Sequence, residues 1–315
     1  MTGATVATRE AYGKALAALG ESRDDVVVLD ADLSGSTKTK AFGQANPERF
    51  FNMGVAEANM IGTASGLAST GLTVFASSFA MFAAGKAFEQ VRQEVALPGA
   101  NVKICASHAG ITTGEDGASH QVLEDIAIMR VLPNMTVIVP ADGRETELAI
   151  AAVAEHDGPC YVRLSRMKTP ISMPDDYTFE IGKIATLRDG TDVTLAASGV
   201  CVNEAVQAAE QLAAEGFSAR VLNVSTIKPL DVDTLAAASR ETGCMVTIEE
   251  HQIAGGVGSA IAEALSEVAP CRIRRLGMQD RFGESGDGGA LMEHFGLTAP
   301  HIATAAKDLM AGGAA

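Results

Sequence analysis

Two histidines, His108 and His120, stand in residues 105–121 together with the adjacent carboxylates Glu115 and Asp116, several hydroxyls, and glycines at 110, 114 and 117. Histidine moves protons near neutral pH and binds an anion when charged. Glycine lets backbone amides come close to a ligand. A surface loop with solvated polar groups is the plain alternative. The density of His, Asp and Glu between glycines favours a site.

Other residues have types that could serve it. Glu57, in the run Gly54-Val-Ala-Glu-Ala-Asn-Met60, is the last charge before a stretch without any charge that lasts until Lys86. A carboxyl at such an edge loses hydration, which favours a protonated form able to donate a hydrogen bond and exchange a proton. From position alone, a first-turn glutamate on a helix dipole is the stronger reading. Phe79 and Phe82 are spaced to share a helical face and could stack on a flat heterocycle, with core packing the ordinary alternative. Arg9, Ser36, His108 and Arg166 form a scattered set of anion-binding types. Gly255-Gly-Val-Gly258 departs from the dinucleotide fingerprint because residue 261 is Ile. It reads as a tight strand-to-helix turn, with an anion site at the helix N-terminus as the lesser alternative. Residues 283–289 read as a loop. No histidine has a partner at metal-ligand spacing, so no metal site is expected in this chain.

The elements that must hold these residues follow from periodicity. Helices are expected at residues 8–20, 56–69, 81–96, 122–130 and the stretch capped by Asp142 and Glu145. Strands are expected at 26–30, 72–75, 101–105, 136–139 and 161–164. This alternation is the signature of a parallel α/β sheet. A second alternation follows, with strands at 193–197, 219–224, 245–249 and 272–276 and helices at 202–215, 234–242 and 257–268. The fold class is therefore α/β with two doubly wound domains, residues 1–170 and a smaller 191–315, joined by a linker at 171–190. Ser36 and Arg166 follow strands and so belong to the ligand-binding end of the sheet.

The 315 residues are 47% apolar and carry a formal charge of −15. Such a surface disfavours nucleic acid and anionic membrane as partners. An anionic substrate needs a local basic pocket. Five cysteines without a Cys-x-x-Cys argue against disulfides or zinc and point to a cytoplasmic setting. The uncharged stretch after Glu57 reads as helix, turn, strand and helix rather than a membrane span, because Gly71 interrupts it.

The motif Gly114-Glu-Asp-Gly-Ala-Ser-His-Gln121 resembles that of the transketolase family. So do Arg9, Asp32-Leu-Ser-Gly-Ser36, residues 54–60 and 79–85, Pro133-Asn-Met135, Pro140-Ala-Asp142 and Leu164-Ser-Arg166, whose order and spacing match the pyrimidine-binding domain. Glu249-Glu-His251 and Gly255-Gly-Val-Gly258 resemble the C-terminal domain of that family. The resemblance covers nearly the whole chain and implies thiamine diphosphate as cofactor. Glu57 then matches the glutamate that contacts the pyrimidine N1′. Phe79 and Phe82 match aromatics around that ring, and Asp32 an acid near the cofactor at the subunit interface. His120 matches a histidine near the reacting carbonyl oxygen. Asp116 matches a reader of a sugar hydroxyl. Arg9, Ser36, His108 and Arg166 match the set that binds the substrate phosphate. Glu57, His120 and His108 are the catalytic expectations.

One family motif lacks a counterpart. Diphosphate and Mg²⁺ are bound through Gly-Asp-Gly with an Asn further on, whereas Gly286-Asp-Gly288 has no Asn after it. The resemblance thus implies the C-terminal subunit of a split transketolase. An N-terminal partner subunit would hold the diphosphate and Mg²⁺, two chains of each type would form a heterotetramer, and sugar phosphates would be the substrates. The sugar itself is left open. Two rival readings remain. The β subunit of a 2-oxo-acid dehydrogenase E1 shares the domain order and the glutamate, but the His108-to-His120 loop and Arg166 fit it less well. A non-catalytic transketolase-like regulatory subunit is disfavoured because Glu57, His108, Asp116, His120 and Arg166 are all present.

Overall fold

The computed structural model describes residues 5–312, so the outermost residues of both expected domains, 1–4 and 313–315, lie outside the described residues. In chain order the strands are β1 (Thr5–Ala7), β2 (Val26–Asp30), β3 (Phe50–Asn52), β4 (Thr73–Phe79), β5 (Val102–Ser107), β6 (Thr136–Ile138) and β7 (Cys160–Arg163). They continue as β8 (Lys168–Pro170), β9 (Ala185–Arg188), β10 (Val193–Ala197), β11 (Ala219–Asn223), β12 (Thr226–Lys228), β13 (Cys244–Gln252) and β14 (Arg272–Met278).

The first sheet has the order β12-β6-β7-β5-β4-β2-β3. All its pairings are parallel except β12 on β6. β2, with the sequence Val-Val-Val-Leu-Asp, is buried at every position. That is what a parallel strand covered on both faces requires, and each such Val or Leu contributes on the order of 1.5–3 kcal/mol through burial. β4 extends to Phe79, beyond the strand end expected at Phe75, because Ser77 and Ser78 are buried strand residues. Tyr12 on the helix Thr8–Ser22 shares a hydrogen bond with Ser77 Oγ at 2.7 Å. Small hydroxyl residues beyond the expected strand end thus pair inside the sheet.

Residues 81–96 are helical as expected, but two of their turns, Met81–Lys86 and Val91–Ala96, are π-helical. The helix expected over 122–130 begins only at Asp125. Val122 instead pairs with Ala109 in an isolated bridge. The second sheet has the order β14-β13-β10-β11-β9, with β9 antiparallel. β9 lies within the stretch read from the sequence as linker and pairs with β11. Two terminal helices not expected from the sequence, Gly288–His294 and Ala299–Met310, cover this half. The first of these begins inside residues 283–289, the stretch expected to be a loop.

The two halves are joined closely. β12 comes from the second half of the chain yet completes the first sheet. Asp142 caps the helix Gly143–Glu155 through the Glu145 amide, and its other oxygen accepts from the Ser172 and Met173 amides at 2.7 and 2.9 Å. Glu145, fully buried, accepts from Tyr177 Oη and from Asn223 Nδ2 at 2.7 and 2.8 Å. One apolar cluster runs from Val27 and Ile104 through Leu222 and Val224 to Ile261. Among the described residues no helix is long and apolar enough to cross a membrane.

Candidate functional site

The strands β7, β5, β4, β2 and β3 are consecutive neighbours in the first sheet. Arg166 follows β7, His108 follows β5, Phe79 ends β4, Asp32 and Ser36 follow β2, and Glu57 opens the helix Glu57–Ala68 beyond β3. Arg9 sits in the first turn of the helix after β1. The expected residues therefore converge on the carboxyl edge of one parallel sheet, where loops of an open α/β fold form ligand sites.

The cationic part is built around Arg9. Its Nη1 donates to the Ser36 carbonyl oxygen at 3.1 Å and lies 3.0 Å from His108 Nε2. Burial and the neighbouring Arg166 charge lower the Arg9 guanidinium from its usual value, while Glu10 and Asp116 oppose the shift. Two guanidiniums that disfavour each other make a pocket that gains from an anion. Arg166 Nη1 donates to the Thr113 carbonyl oxygen and to Glu115 Oε2, at 2.5 and 2.7 Å. Glu115 is fully exposed, and its carboxyl is lowered by its own backbone hydrogen bond and by Arg166.

His108 is buried, with φ +60 in the left-handed region. Burial first, then the Arg9 and Arg166 charges, lower its pKa to about 3. It is therefore a neutral imidazole. Nε2 faces a permanent donor and accepts from it, which leaves Nδ1 as the donor to Ser107 Oγ at 2.9 Å. In this tautomer both ring nitrogens are engaged, Nε2 by Arg9 and Nδ1 by Ser107, and the positive charge beside the ring belongs to Arg9 and Arg166.

Four rings adjoin this pocket. Phe79 stacks on His108 with centroids 3.7 Å apart and planes 25° apart. Phe82 lies nearly parallel to Phe79 at 6.1 Å. His120 stands edge-on to Phe82 at 5.4 Å and to Phe79 at 6.2 Å. The spacing of Phe79 and Phe82 reads as one helical face, but Phe79 is a strand residue and Phe82 lies on a π-helical turn. Such turns recur at functional sites because they re-aim side chains. His120 Nδ1 is 2.9 Å from Ser119 Oγ, so Nε2 is its second polar atom.

Glu57 stands in the first turn of its helix, the stronger reading from position, and is buried as well, with a partner for its carboxyl group. Lys86 Nζ donates to Oε2 at 2.6 Å. Lys86 shares the π-helical turn with Phe82, which ties the carboxylate to the ring cluster. Asp32, exposed and with φ +66, accepts from Asn52 Nδ2 at 2.8 Å beside β3. Asp116 is exposed, and its charge reaches Arg9. Lys86 is a participant that sequence reasoning missed, and Glu115, seen there with Asp116 in the loop, had no role assigned. Glu115 is legible only as the neighbour of Asp116, and Lys86 meets Glu57 only through the turn of the chain around β4.

Two motifs are used internally. Glu249 accepts from the Val257 and Gly258 amides at 2.7 and 2.9 Å, so the chain's own carboxylate fills the N-terminus of the helix Val257–Val268. Burial raises Glu249 to about 7 against those two bonds. Asp287 of Gly286-Asp-Gly288 caps its helix by accepting from the Ala290 amide at 3.0 Å. Among the described residues no three His, Cys, Asp or Glu gather in a way that could hold a metal ion.

Residues 4–172 match the transketolase pyrimidine binding domain, and residues 182–302 the transketolase C-terminal domain. The solved structure of a split gene transketolase, an inactive beta4 tetramer, is 50% identical with a TM-score of 0.91, covering 97% of this chain and 99% of that one. The 6-deoxy-6-sulfo-D-fructose transketolase subunit of Clostridium sp. (strain MSTE9) is 43% identical over 301 residues, 96% of this chain and 94% of that protein. An apulose-4-phosphate transketolase subunit of Phocaeicola vulgatus is 36% identical over 306 residues, 97% of this chain and 98% of that protein.

Proposed function

The chain belongs to the transketolase family, and on that footing we propose that it is the C-terminal subunit of a split transketolase. The reaction is transfer of a two-carbon ketol unit from a ketose phosphate to an aldose phosphate, with thiamine diphosphate as cofactor. A partner subunit holds the diphosphate and Mg²⁺, and two chains of each kind form the active heterotetramer. The observation that carries the reading is the convergence of Glu57, the Phe79–Phe82 pair and the Arg9–His108–Arg166 pocket on five neighbouring strand ends. An inactive beta4 tetramer of a split-gene relative supports the need for a second chain.

The residues present fit such a cofactor. A buried carboxyl group stands at a helix start, and its partner Lys86 shares a π-helical turn with Phe82, one of two nearly parallel rings. When bound, thiamine diphosphate supplies the electron sink for the two-carbon unit. Glu57 would hold the pyrimidine nitrogen, and Phe79 and Phe82 would flank the ring. His120 would hold or move a proton at the substrate's carbonyl oxygen through Nε2. Asp116, exposed at the loop, would accept from a sugar hydroxyl. Arg9 and Arg166 would pair with the terminal phosphate, with the Ser36 hydroxyl beside them and neutral His108 orienting the Arg9 guanidinium toward it through Nε2. A sulfonate presents a similar tetrahedral anion, and a relative's sulfo-sugar name keeps that substrate class within this reading.

The test is reconstitution. The tagged chain is purified from its host with its co-purifying partner, and transfer is assayed on phosphorylated and sulfonated ketoses with thiamine diphosphate and Mg²⁺. Transfer that needs both chains, and that is abolished by Glu57→Ala or His120→Ala, is the expected result. An assembled complex with full transfer in either variant would remove that residue's role. A complex that decarboxylates pyruvate in place of sugar transfer would favour the dehydrogenase reading.

A further inference from the structure

We propose that Glu250, on β13 of the second domain, is a positioning residue that sets the site loop by gripping Thr112. The inference rests on the transferase reading above.

Glu250 Oε2 accepts from the Thr112 amide at 3.0 Å and from Thr112 Oγ1 at 2.8 Å. Its other oxygen lies 3.5 Å from Arg163 Nη1, and Arg163 Nη2 donates to the Glu250 carbonyl oxygen at 3.1 Å. Arg163 Nε donates to Asp125 at 2.8 Å, and Asp125 also accepts from Tyr161 Oη at 2.7 Å. Glu250, Arg163, Asp125 and Tyr161 are all buried. A buried carboxylate must be anchored by charge and hydrogen bonds. Here one oxygen faces the guanidinium and the other holds a residue of the loop.

The next residue passes that grip to the site in two directions. Thr113 Oγ1 donates to the His108 carbonyl oxygen at 2.7 Å, and the Thr113 carbonyl oxygen accepts from Arg166 Nη1 at 2.5 Å. Thr112 Oγ1 also lies 3.3 Å from Ser165 Oγ, which accepts from the Met167 amide at 3.0 Å. Both flanks of Arg166 are thus reached from one carboxylate. His108 is held at a φ of +60, a conformation that persists only where its surroundings over-determine it. Glu250 is buried beneath the loop and stands behind the residues of the pocket, so its action is on geometry. The second domain thereby acquires a part in the site formed by the first.

The experiment uses the chain reconstituted with its diphosphate-binding partner. Glu250→Ala is expected to lower kcat/KM for the sugar by roughly 10- to 100-fold, the scale of a small misplacement. Half-saturation by thiamine diphosphate should stay at the wild-type value, because Glu57 stands on a different strand connection. Glu250→Gln, whose amide oxygen can accept the same two Thr112 bonds, should recover part of the loss. Thr112→Val, which keeps the amide and removes the hydroxyl, should shift in the same direction by less. Hydrogen–deuterium exchange should be faster across residues 110–117 in Glu250→Ala and unchanged in β2 and β4. The inference is overturned if an active complex carrying Glu250→Ala keeps wild-type sugar kinetics, or if exchange at 110–117 does not change. Should Glu250→Ala fail to fold, Glu250→Gln and Thr112→Val decide by the same two readouts. If the wild-type complex transfers no sugar, it is the transferase reading that fails, and the exchange comparison alone still decides whether Glu250 holds the loop.

Discussion

Arg166 has two claimants. Its Nη1 bonds Glu115 and the Thr113 carbonyl oxygen, and a phosphate would displace the exposed Glu115 rather than find an idle guanidinium. Removing this side chain costs a charge-assisted contact in the ground state and transition state alike. Arg166→Ala should therefore raise KM for a phosphorylated sugar about 10- to 100-fold, with a smaller change in kcat. Steady-state kinetics on the assembled complex check this, and an unchanged KM would remove Arg166 from the phosphate set. The residue types of Arg9, His108 and Arg166 were legible in the sequence as anion-binding candidates. The charge state of His108 was not. A neutral imidazole pressed down to about 3 follows from burial and two nearby guanidiniums, and a linear sequence holds none of those distances. Lys86 was illegible for a related reason, because it faces Glu57 only after the intervening strand has turned the chain back.

The loop after β5 is an element whose shape depends on glycine where the chain turns under the pocket. Gly110 has a φ of +79, and a Cβ there would fall 2.2 Å from Glu250 Cδ. Gly110→Ala combines a disfavoured backbone with a clash against a buried, anchored carboxylate. It should cost about 2 kcal/mol or more, seen as a lower midpoint in denaturant, together with loss of transfer in the assembled complex. A variant as stable as the wild type would mean that the loop relaxes freely. At this scale the sequence was informative where patterns are long. Val26–Asp30 is an apolar run closed by one acid and Val257–Val268 an amphipathic one, and both occur at the expected bounds. Short or polar pieces escaped. β3 and β12 have three residues each, too few to show a period. The last residues of β4 are hidden behind Ser77 and Ser78. The π-helical turn that brings Phe82 beside Phe79 leaves no distinct mark in an apolar stretch.

For the whole molecule, two alternations of strand and helix announce two α/β units, but not how they interlock. β12 pairs with β6, Glu145 reaches Asn223, and Glu250 holds Thr112 and Arg163. These contacts join residues far apart in sequence and have no local signature. They also make the first unit dependent on the second. Residues 1–172 expressed alone should fold poorly, since Arg163 would lose its buried partner Glu250 and β6 would present an open edge. Circular dichroism and a denaturant titration would show a broad or absent transition where the full chain gives a cooperative one. A sharp transition of native stability would mean that the interlock is dispensable. The charge of −15 fits this picture of an acidic surface around one cationic recess.

β12 also bears on how the protein is made. On the ribosome the strands β2 to β7 are complete well before residue 228 has been added, and the edge of β6 waits for a partner that does not yet exist. At bacterial-to-eukaryotic rates of synthesis the delay is of the order of seconds. During that interval the nascent sheet is a template for any other extended segment, so chaperone demand and sensitivity to translational pausing should concentrate between β7 and β12.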